Sequence, residues 1–396
     1  MIEARFHRHI ADIDAAAWNA LRPDDNPFLA HAFLAGLEEH GCVDPRTGWR
    51  PHHLTLHDGD RLVAGAPLYL KGNSHGEFVF DWSWAHAYEQ NGLDYYPKLL
   101  CAVPYSPVTG PRLLAGRSDD ADALRATLVT AIRAETQRLK LSSAHLNFAT
   151  EPDAATLGDS DWLPRSDWQF HWRNHAGWRD FDDFLAALNH KKRKNIRHER
   201  ARVAQAGVAC EIRHGDELDD AQWQALHEFY LATFDEKGNY AALTLDFFRH
   251  LGRTMPRNVV AVLCRRGTHL VAGAIMLRSS TTLYGRYWGA GEHVEALHFE
   301  ACYYQGIDYC LREGLATFEP GAGGEHKIAR GFLPVRTRSF HWIADTRFRA
   351  AIADALRRES RALDDYRDDV LAHSPYAERK ASEHHPHPTL PLKGKA

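Results

Sequence analysis

The chain has 396 residues and a formal net charge of −4, and 44% of its residues are hydrophobic and 25% charged. This composition is typical of a soluble globular protein, and no apolar run approaches the ~20 residues of a membrane helix, so we expect no membrane span. The slightly negative net charge argues against binding to DNA or general coating of nucleic acid. The charged N-terminal segment lacks the basic, apolar and small-residue order of a secretory signal, which favours the cytoplasm. The length predicts about two domains.

A pentapeptide repeat is the first sign of internal order. The sequence LVAGA occurs at residues 62–66 and again at residues 270–274. In both places it follows an apolar run and a polar turn, and the turn glycines, Gly59 and Gly267, keep the same distance from it. Such shared spacing is typical of hairpins that are built alike. The repeat therefore predicts two copies of one strand–turn–strand unit.

Other parallel segments extend the repeat on both sides of these hairpins. Upstream, IDAAAWNAL and LDDAQWQAL predict a helix in each half, capped by Asp14 and Asp219. Downstream, DWSWAHAYEQNGLDYY and GRYWGAGEHVEALHFE predict an aromatic strand in each half. The tripeptide FHW, at 170–172 and again at 340–342, predicts a last strand that closes each half.

The order of these elements predicts an α/β fold with mixed sheets, made by tandem duplication. We expect a first unit at 1–175, with an insertion at about 97–118, and a second unit at 176–345. A long amphipathic helix at 346–373 follows, and its apolar residues can dock on the second unit. The remaining 374–396 is rich in proline and poor in apolar periodicity, which predicts a disordered tail.

This order of elements resembles the acetyltransferase fold of the GNAT superfamily, and two such units in tandem resemble the Fem-type peptidyltransferases. The resemblance is sharpest in four segments and covers residues 1 to about 370. They are SWAHAYEQNGLDYYPKLLCAVPYSPVTGPRLL, DFLAALNHKKRKNIRHERARVAQAGV, HFEACYYQGIDYC and FEPGAGGEHKIARGFLPVRTRSFHW. They are similar to the FemAB-like family of predicted acyltransferases.

The resemblance implies transfer of an activated acyl or aminoacyl group to an amine acceptor, such as a cell-wall precursor of peptidoglycan. The donor would be an acyl-CoA, a carrier protein or an aminoacyl-tRNA, whose acceptor end is a candidate partner, and no tightly bound cofactor is expected. Fold does not fix function, so a catalytically silent module that binds a cell-wall precursor or a protein partner is the alternative.

The segment RYWGAG is the first candidate for donor binding. It fits the R-x-x-G-x-G pattern by which acetyltransferases wrap backbone N–H groups around a pyrophosphate. The candidate residues are Arg286, Tyr287, Trp288, Gly289 and Gly291. The alternative is a purely structural strand end.

The segment EPGAGGEHKIARGF is the second candidate. Gly323 and Gly324 let the backbone approach a ligand, while Lys327 and Arg330 offer positive charge to a phosphate or an oxyanion. Fem-type enzymes carry an F-K-x-x-F/W-G element at this point, and Lys327 and Gly331 match its lysine and glycine. A surface turn with solvated charges is the alternative.

The basic run HKKRKNIRHER lies on a predicted helix at the junction of the units. Arg193 and Arg197 share one face of this helix and could bind the phosphates of a donor. A charge run of this kind is otherwise a solvated helix face.

Acylation of an amine also needs a base, because an alkyl ammonium is not nucleophilic until it loses a proton. Glu300 and His298 are the candidates in LHFEACYY. They cannot both face a cleft from one helix, so we prefer Glu300, with His298 as the alternate. Glu300 could instead simply stabilise the helix dipole in the first turn.

Aromatic residues and metal ligands complete the survey of candidates. Four aromatic side chains are candidates for the core or for the wall of a cleft: Trp82, Trp84, Tyr95 and Tyr96. No spacing of cysteine, histidine and acidic residues matches a known metal cage, so no metal is expected.

Overall fold

The computed structural model describes residues 1–158 and 160–377, which fold as a mixed α/β protein. The first unit contains the strands β1 (Ile2–His7), β2 (Trp49–Pro51), β3 (His53–Asp58), β4 (Arg61–Ala66), β5 (Leu68–Lys71), β6 (Lys98–Cys101), β7 (Ser143–Leu146) and β8 (Leu163–Arg173). Its helices are α1 (Ala15–Ala20), α2 (His31–Glu39), α3 (Trp82–Gln90), α4 (Ala121–Arg138) and α5 (Glu151–Gly158).

The second unit and the C-terminal helix follow in the same chain. The strands are β9 (Val208–His214), β10 (Val259–Arg266), β11 (His269–Arg278), β12 (Thr282–Ala290), β13 (Thr317–Glu319) and β14 (Leu333–Ile343). The helices are α6 (Phe181–Ala187), α7 (His190–Gln205), α8 (Asp220–Glu236), α9 (Leu245–Thr254), α10 (Leu297–Phe299), α11 (Gln305–Glu313) and α12 (Thr346–Ala372). A π-helical turn, Glu300–Tyr304, joins α10 to α11.

The predicted hairpins are confirmed as β3–β4 and β10–β11. Their turn glycines, Gly59 and Gly267, have φ of 61° and 59°, the left-handed conformation that favours glycine. A bulge follows Leu56 in the first hairpin and Cys264 in the second, at corresponding places. The two hairpins therefore have the same turn conformation and a bulge at the same position.

The glycine of each pentapeptide has the same role in packing. A Cβ on Gly65 would lie 2.9 Å from the Trp18 ring of α1, and a Cβ on Gly273 would lie 2.3 Å from Leu226 of α8. These glycines let a helix pack closely on the hairpin in both units. The predicted caps are also confirmed, since Asp14 and Asp219 each accept a backbone N–H of the first helical turn.

The last strand of each unit lies in the sheet of the other unit. β8 pairs with β13 through Trp172 opposite Phe318, and β14 pairs with β7 through Phe340 opposite Leu146. β8 and β14 also pair with each other. Over the described residues this gives an eleven-stranded sheet in the order β2-β5-β6-β7-β14-β8-β13-β12-β11-β10-β9. The predicted unit boundaries at 175 and 345 thus follow the repeat in the sequence, but the last strand of each unit, β8 or β14, joins the sheet of the other unit.

The first unit differs from the second mainly before β6. Residues 82–90, predicted as an aromatic strand, form helix α3 instead, because Trp84 and Tyr88 lie four apart and bury one helix face. β6 pairs with β5 and β7 in the way that β12 pairs with β11 and β13. Residues 72–97 separate β5 from β6, where the second unit has only 279–281. Most of the extra chain therefore precedes the predicted insertion at 97–118, which itself contains β6.

A buried charge network holds this extra segment in place. Lys98 Nζ on β6 donates to Glu77 Oε2 at 2.8 Å, Asp81 Oδ2 at 2.5 Å and Ser74 Oγ at 3.0 Å. Tyr95 donates to Asp81 Oδ2 at 2.6 Å. We call Ser74, Glu77, Asp81, Tyr95 and Lys98 the Lys98 network. It fixes residues 74–81 against the sheet.

Helix α12 packs differently from the prediction. Its first half buries Ile352 and Leu356 against α3 of the first unit, and Phe348 contacts Tyr88 at a ring distance of 4.0 Å. The reason is the exchange of strands, because β14 delivers the chain to the first unit. The second half reaches the second unit through Val370.

The first residues of the predicted tail, 374–377, are described and pack on the second unit. Ala377 N donates to Ala187 O at 3.0 Å, and Tyr376 OH donates to Gly331 O at 2.6 Å. The rest of the predicted tail, 378–396, lies outside the described residues. Within residues 1–158 and 160–377, every helix is too short or too polar to cross a membrane.

Candidate active site

A cavity of about 1270 Å³ lies between the two units. The first unit contributes residues 41–47, the segment from Asn73 to Phe80, and Tyr105. The second unit contributes α8 and the chain after it, β12, the start of the α10 helix, and the loop from Pro320 to Lys327. Neither unit encloses the cavity alone, so its shape depends on how the units pack together.

Lys327 is one of four cations at the wall of this cavity, and two of the others, Arg46 and Lys237, are exposed to solvent. It sits in a short 3-10 helix, Glu325–Arg330, and is only 3% exposed. Its Nζ donates to Gly321 O at 2.6 Å and to Ala322 O at 3.3 Å. Burial, together with the nearby charge of Arg286, lowers the pKa of Lys327 to about 8. An ammonium has three N–H groups, so one remains to face a ligand.

Arg286, at the middle of β12, is the other cation of the wall that is not exposed. Its Nη2 lies 3.4 Å from Tyr105 O, and its Nε is buried without a hydrogen-bond partner among the described residues. Among the side chains that the structure describes, no carboxylate forms a salt bridge with Arg286 or with Lys327. Lys98, by contrast, forms salt bridges with two carboxylates. Glu319 attracts Arg286, but burial raises the pKa of that carboxyl to about 8. Two partly desolvated positive charges therefore face the cavity without a salt-bridged carboxylate among the described side chains.

A histidine and tyrosine group forms the adjacent wall. Tyr303 OH lies 2.8 Å from His326 Nε2, and the His298 ring contacts the rings of Trp288 and Tyr303 at 5.5 and 5.4 Å. Burial, together with the charge of His326, lowers the pKa of His298 to about 4. His298 is thus a neutral imidazole near pH 7, able to accept a proton or a hydrogen bond.

Glu300, the preferred base in the sequence, does not line the cavity. It is buried on the other side of the helix, where it accepts from Arg200 Nε at 3.2 Å and from Gln305 Nε2 at 2.7 Å. The π-helical turn that begins at Glu300 changes which side chains share a face, while His298 and Tyr303 face the cavity. The structure thus places the alternate candidate, His298, where a substrate could reach it.

The two glycines of RYWGAG also lie outside the cavity. A Cβ on Gly289 would lie 1.9 Å from Phe229 O, and a Cβ on Gly291 would lie 3.1 Å from the Phe229 ring. These glycines allow α8 to pack against β12, and they do not form the predicted phosphate cradle. Tyr287 and Trp288 from the same segment do line the cavity, as Arg286 does.

Only part of the segment EPGAGGEHKIARGF lines the cavity. Gly323 and Gly324 line the cavity, with φ of 71° and 95°. Arg330 points elsewhere, since it pairs with Glu199 at 2.7 Å and stacks over Phe299 at 3.4 Å. Gly331 lies beyond it, with its carbonyl bonded to the C-terminal segment. Arg330 and Gly331 hold this segment in place and do not reach the cavity.

The basic helix α7 lies away from the cavity. Arg193 and Arg197 do not line it, and Arg197 is exposed and pairs with Asp182 at 3.6 Å. On its inner side, Arg200 pairs with the buried Glu300. Arg193 and Arg197 are therefore not part of the cavity, and their role in donor binding stays a prediction.

The four aromatic residues predicted as cleft wall also lie elsewhere. Trp84 and Tyr95 are buried between α3 and α12, and Tyr96 lies 2.7 Å from Ser74 Oγ. Trp82 is 43% exposed. None of the four lines the cavity.

Sequence reasoning missed several residues that do line the cavity. They are His75, Phe78, Tyr105, Tyr230, Phe234, Tyr303 and His326. These residues come from separate segments of both units and share no spacing. The one available signal was His326, beside the predicted Lys327.

Comparisons with known proteins agree with this architecture. A family model described as FemAB-like, peptidoglycan biosynthesis/recognition, matches residues 9–378. The crystal structure of FemX superposes with a TM-score of 0.52 at 10% identity, covering 89% of this chain and 100% of that one. The C-terminal DUF2156 domain of a putative lysylphosphatidylglycerol synthetase from Agrobacterium fabrum gives 0.51 at 12% identity, covering 87% and 96%.

At these identities the solved structures show a shared fold alone. A search of curated proteins gives no significant match. The predicted α/β fold and the predicted family are confirmed. Because the family model spans nearly the whole sequence, this chain belongs to the FemAB-like family.

Proposed function

We propose that this protein is an acyl- or aminoacyltransferase that joins an activated acyl group to an amine in the cavity between its units. Lys327 and Arg286 bind the anionic part of a substrate in this proposal. The observation that carries it is the placement of these two cations on one cavity without a carboxylate partner among the described side chains. The description of the family supports a peptidoglycan precursor as the acceptor.

The charge argument rests on the cost of burial. Moving a charged side chain out of water is unfavourable unless a counter-ion or hydrogen bonds offset it. Among the described residues, two carbonyl groups accept the hydrogen bonds of Lys327, and the nearby charge of Arg286 disfavours its charged form further. A phosphate or carboxylate ligand would offset both charges. Acyl-CoA, a carrier-protein arm, aminoacyl-tRNA and nucleotide-linked precursors all carry such groups.

The same residues could serve the chemistry of transfer. When an amine attacks an acyl carbonyl, a C–N bond forms, negative charge develops on the carbonyl oxygen, and the nitrogen must release a proton. The remaining N–H of Lys327 could donate to that oxygen. His298 faces the cavity as a neutral imidazole and could accept the proton, although its lowered pKa makes it a weaker base than a free histidine. When the intermediate collapses, the acyl–carrier bond breaks, and the carrier leaves with the electron pair of that bond.

The first experiment identifies the ligand class. Thermal shift is measured with acyl-CoAs, aminoacyl-tRNA and UDP-linked cell-wall precursors, because a ligand that binds only the folded state raises Tm. Wild type, Arg286→Ala and Lys327→Ala are compared, and Lys194→Ala, an exposed lysine of α7, is the matched control. We expect a phosphate-bearing ligand to raise Tm in wild type and in the control, and much less in the two cavity variants.

Transfer is then measured by mass spectrometry with each pair of ligands that binds. Formation of an acylated amine supports the transferase, while binding of the precursor without any product favours the alternative, a silent recognition module. Equal binding by all four proteins would show that the ligand does not bind at Arg286 and Lys327 in the cavity.

A further inference from the structure

We propose that Glu39, His40 and His250 form a site for a divalent transition-metal ion, with zinc the best-matched, that joins the first unit to the second. Each residue offers one donor atom, and these atoms all lie within 4.8 Å of one another. Glu39 and His40 end helix α2 of the first unit, and His250 lies in α9 of the second. His250 is far in sequence from Glu39 and His40, so a search for closely spaced metal ligands in the sequence does not detect the site.

The two imidazoles are arranged as metal ligands commonly are. His250 Nε2 donates to Ala32 O at 2.9 Å, which leaves the lone pair on Nδ1. A hydrogen bond from one ring nitrogen to a carbonyl is the usual way in which a ligating histidine is oriented. His40 Nε2 is buried without a hydrogen-bond partner among the described residues. The two ring centroids are 5.0 Å apart at an interplanar angle of 61°.

This geometry suits one shared ion. Zinc binds histidine nitrogen at about 2.0–2.1 Å and usually takes tetrahedral positions, so two such nitrogens lie about 3.3 Å apart. Glu39 is exposed, and its side chain can turn toward the pair. Two imidazoles and one carboxylate favour zinc and similar ions over calcium or magnesium, which prefer oxygen ligands. A water would complete the coordination.

The site lies at a close contact between the units. A Cβ on Gly36 of α2 would lie 2.6 Å from the His250 ring, and Thr244 Oγ1 at the start of α9 donates to His40 O at 3.1 Å. The chain that follows α2 reaches the cavity at Gly41, and the chain that precedes α9 reaches it at Leu243. A bound ion would therefore fix the wall of the cavity where the units meet. This inference does not depend on the proposed function.

Metal binding is tested on the full chain in a background that lacks the tail histidines. His384, His385 and His387 are replaced by alanine in every protein, since histidines in a tail bind divalent ions on their own. After dialysis against a chelator, zinc is titrated by calorimetry, and cobalt is titrated by its visible absorption. Glu39→Gln, His40→Gln and His250→Ala are compared with the exposed control His269→Ala.

We expect one zinc ion per chain and a Tm that rises with zinc. Affinity should fall by at least about tenfold in His40→Gln and His250→Ala, fall less in Glu39→Gln, and stay unchanged in the control. If His250→Ala does not fold, the two glutamine variants decide the outcome. No zinc binding in the tail-histidine background, or equal binding by all variants, overturns the site.

Discussion

Lys327 Nζ donates to Gly321 O at 2.6 Å, so the ammonium that faces the cavity also holds the glycine-rich loop beside it. The positive φ of Gly321, 92°, brings its carbonyl to this position. The lysine thus has two predicted roles, as a charge for a ligand and as a clamp on the loop. Substitutions can separate them.

Replacing Lys327 by alanine should lower transfer by about 10² to 10³-fold, the usual loss for one preorganised electrostatic group. Tm should change little, because the lost carbonyl bonds are offset by relief of a buried charge. Lys327→Arg should restore only part of the rate, since a planar fork does not replace a compact ammonium. Steady-state kinetics and thermal melts measure the two effects. A rate within about twofold of wild type would return Lys327 to a structural role.

Binding of a phosphate-bearing ligand should weaken as pH rises. The pKa of Lys327 is about 8, so the free site holds this positive charge below that pH and loses it above. Affinity should fall by up to about tenfold per pH unit on the alkaline side, the slope of a single linked proton. In Lys327→Arg the fall should be absent, because a guanidinium stays charged. Calorimetric titrations from pH 6 to 10 give the profile, and a flat wild-type profile would contradict the role.

His298 and Glu300 should respond differently to substitution. His298→Ala should reduce transfer by about 10² to 10⁴-fold with little loss of stability, if it accepts the proton. Glu300→Gln leaves the cavity intact and should mainly weaken the contact with Arg200. Rates and urea midpoints are measured for both variants. A larger rate loss in Glu300→Gln than in His298→Ala would reverse the assignment.

Lys98→Met should destabilise the protein strongly. The substitution leaves Asp81 and Glu77 buried without their cation, which typically costs about 3–5 kcal/mol. Urea unfolding measures the free energy, and Lys194→Met on the exposed face of α7 is the matched control. Because the Lys98 network holds residues 74–81 at the cavity, ligand binding should also weaken. A loss below about 1 kcal/mol would show that the network is dispensable.

Gly273→Ala tests the origin of the repeated pentapeptide. The new Cβ would meet the Leu226 side chain at 2.3 Å and Val262 O at 3.2 Å, so the leucine must change its conformation or α8 must shift from the hairpin. We expect a loss of about 1–3 kcal/mol in unfolding free energy. Gly158→Ala, whose Cβ meets nothing within 4 Å, is the control and should change stability far less. Equal stabilities would show that the spacing of helix and hairpin is not tight.

The sequence by itself determined the features that depend on near neighbours along the chain. Gly59 and Gly267 need a left-handed turn, and Asp14 and Asp219 satisfy N–H groups within the next turn, so local chemistry suffices to predict them. The same kind of regularity exposed the duplication and the family. Lys327 was selected as a candidate because it follows a glycine-rich segment and matches the lysine of a known element.

Tertiary structure decided which of the candidate residues meet. The exchange of β8 and β14 depends on pairing between strands far apart in sequence, which no local pattern specifies. The π-helical turn moved Glu300 away from the cavity, although an unbroken helical period gives no sign of it. Gly289 faces Phe229 because α8 packs there, so the same glycine pattern that could cradle a phosphate serves packing instead. The cavity exists only between the units, and only their packing brings His75, Arg286 and Lys327 to one site.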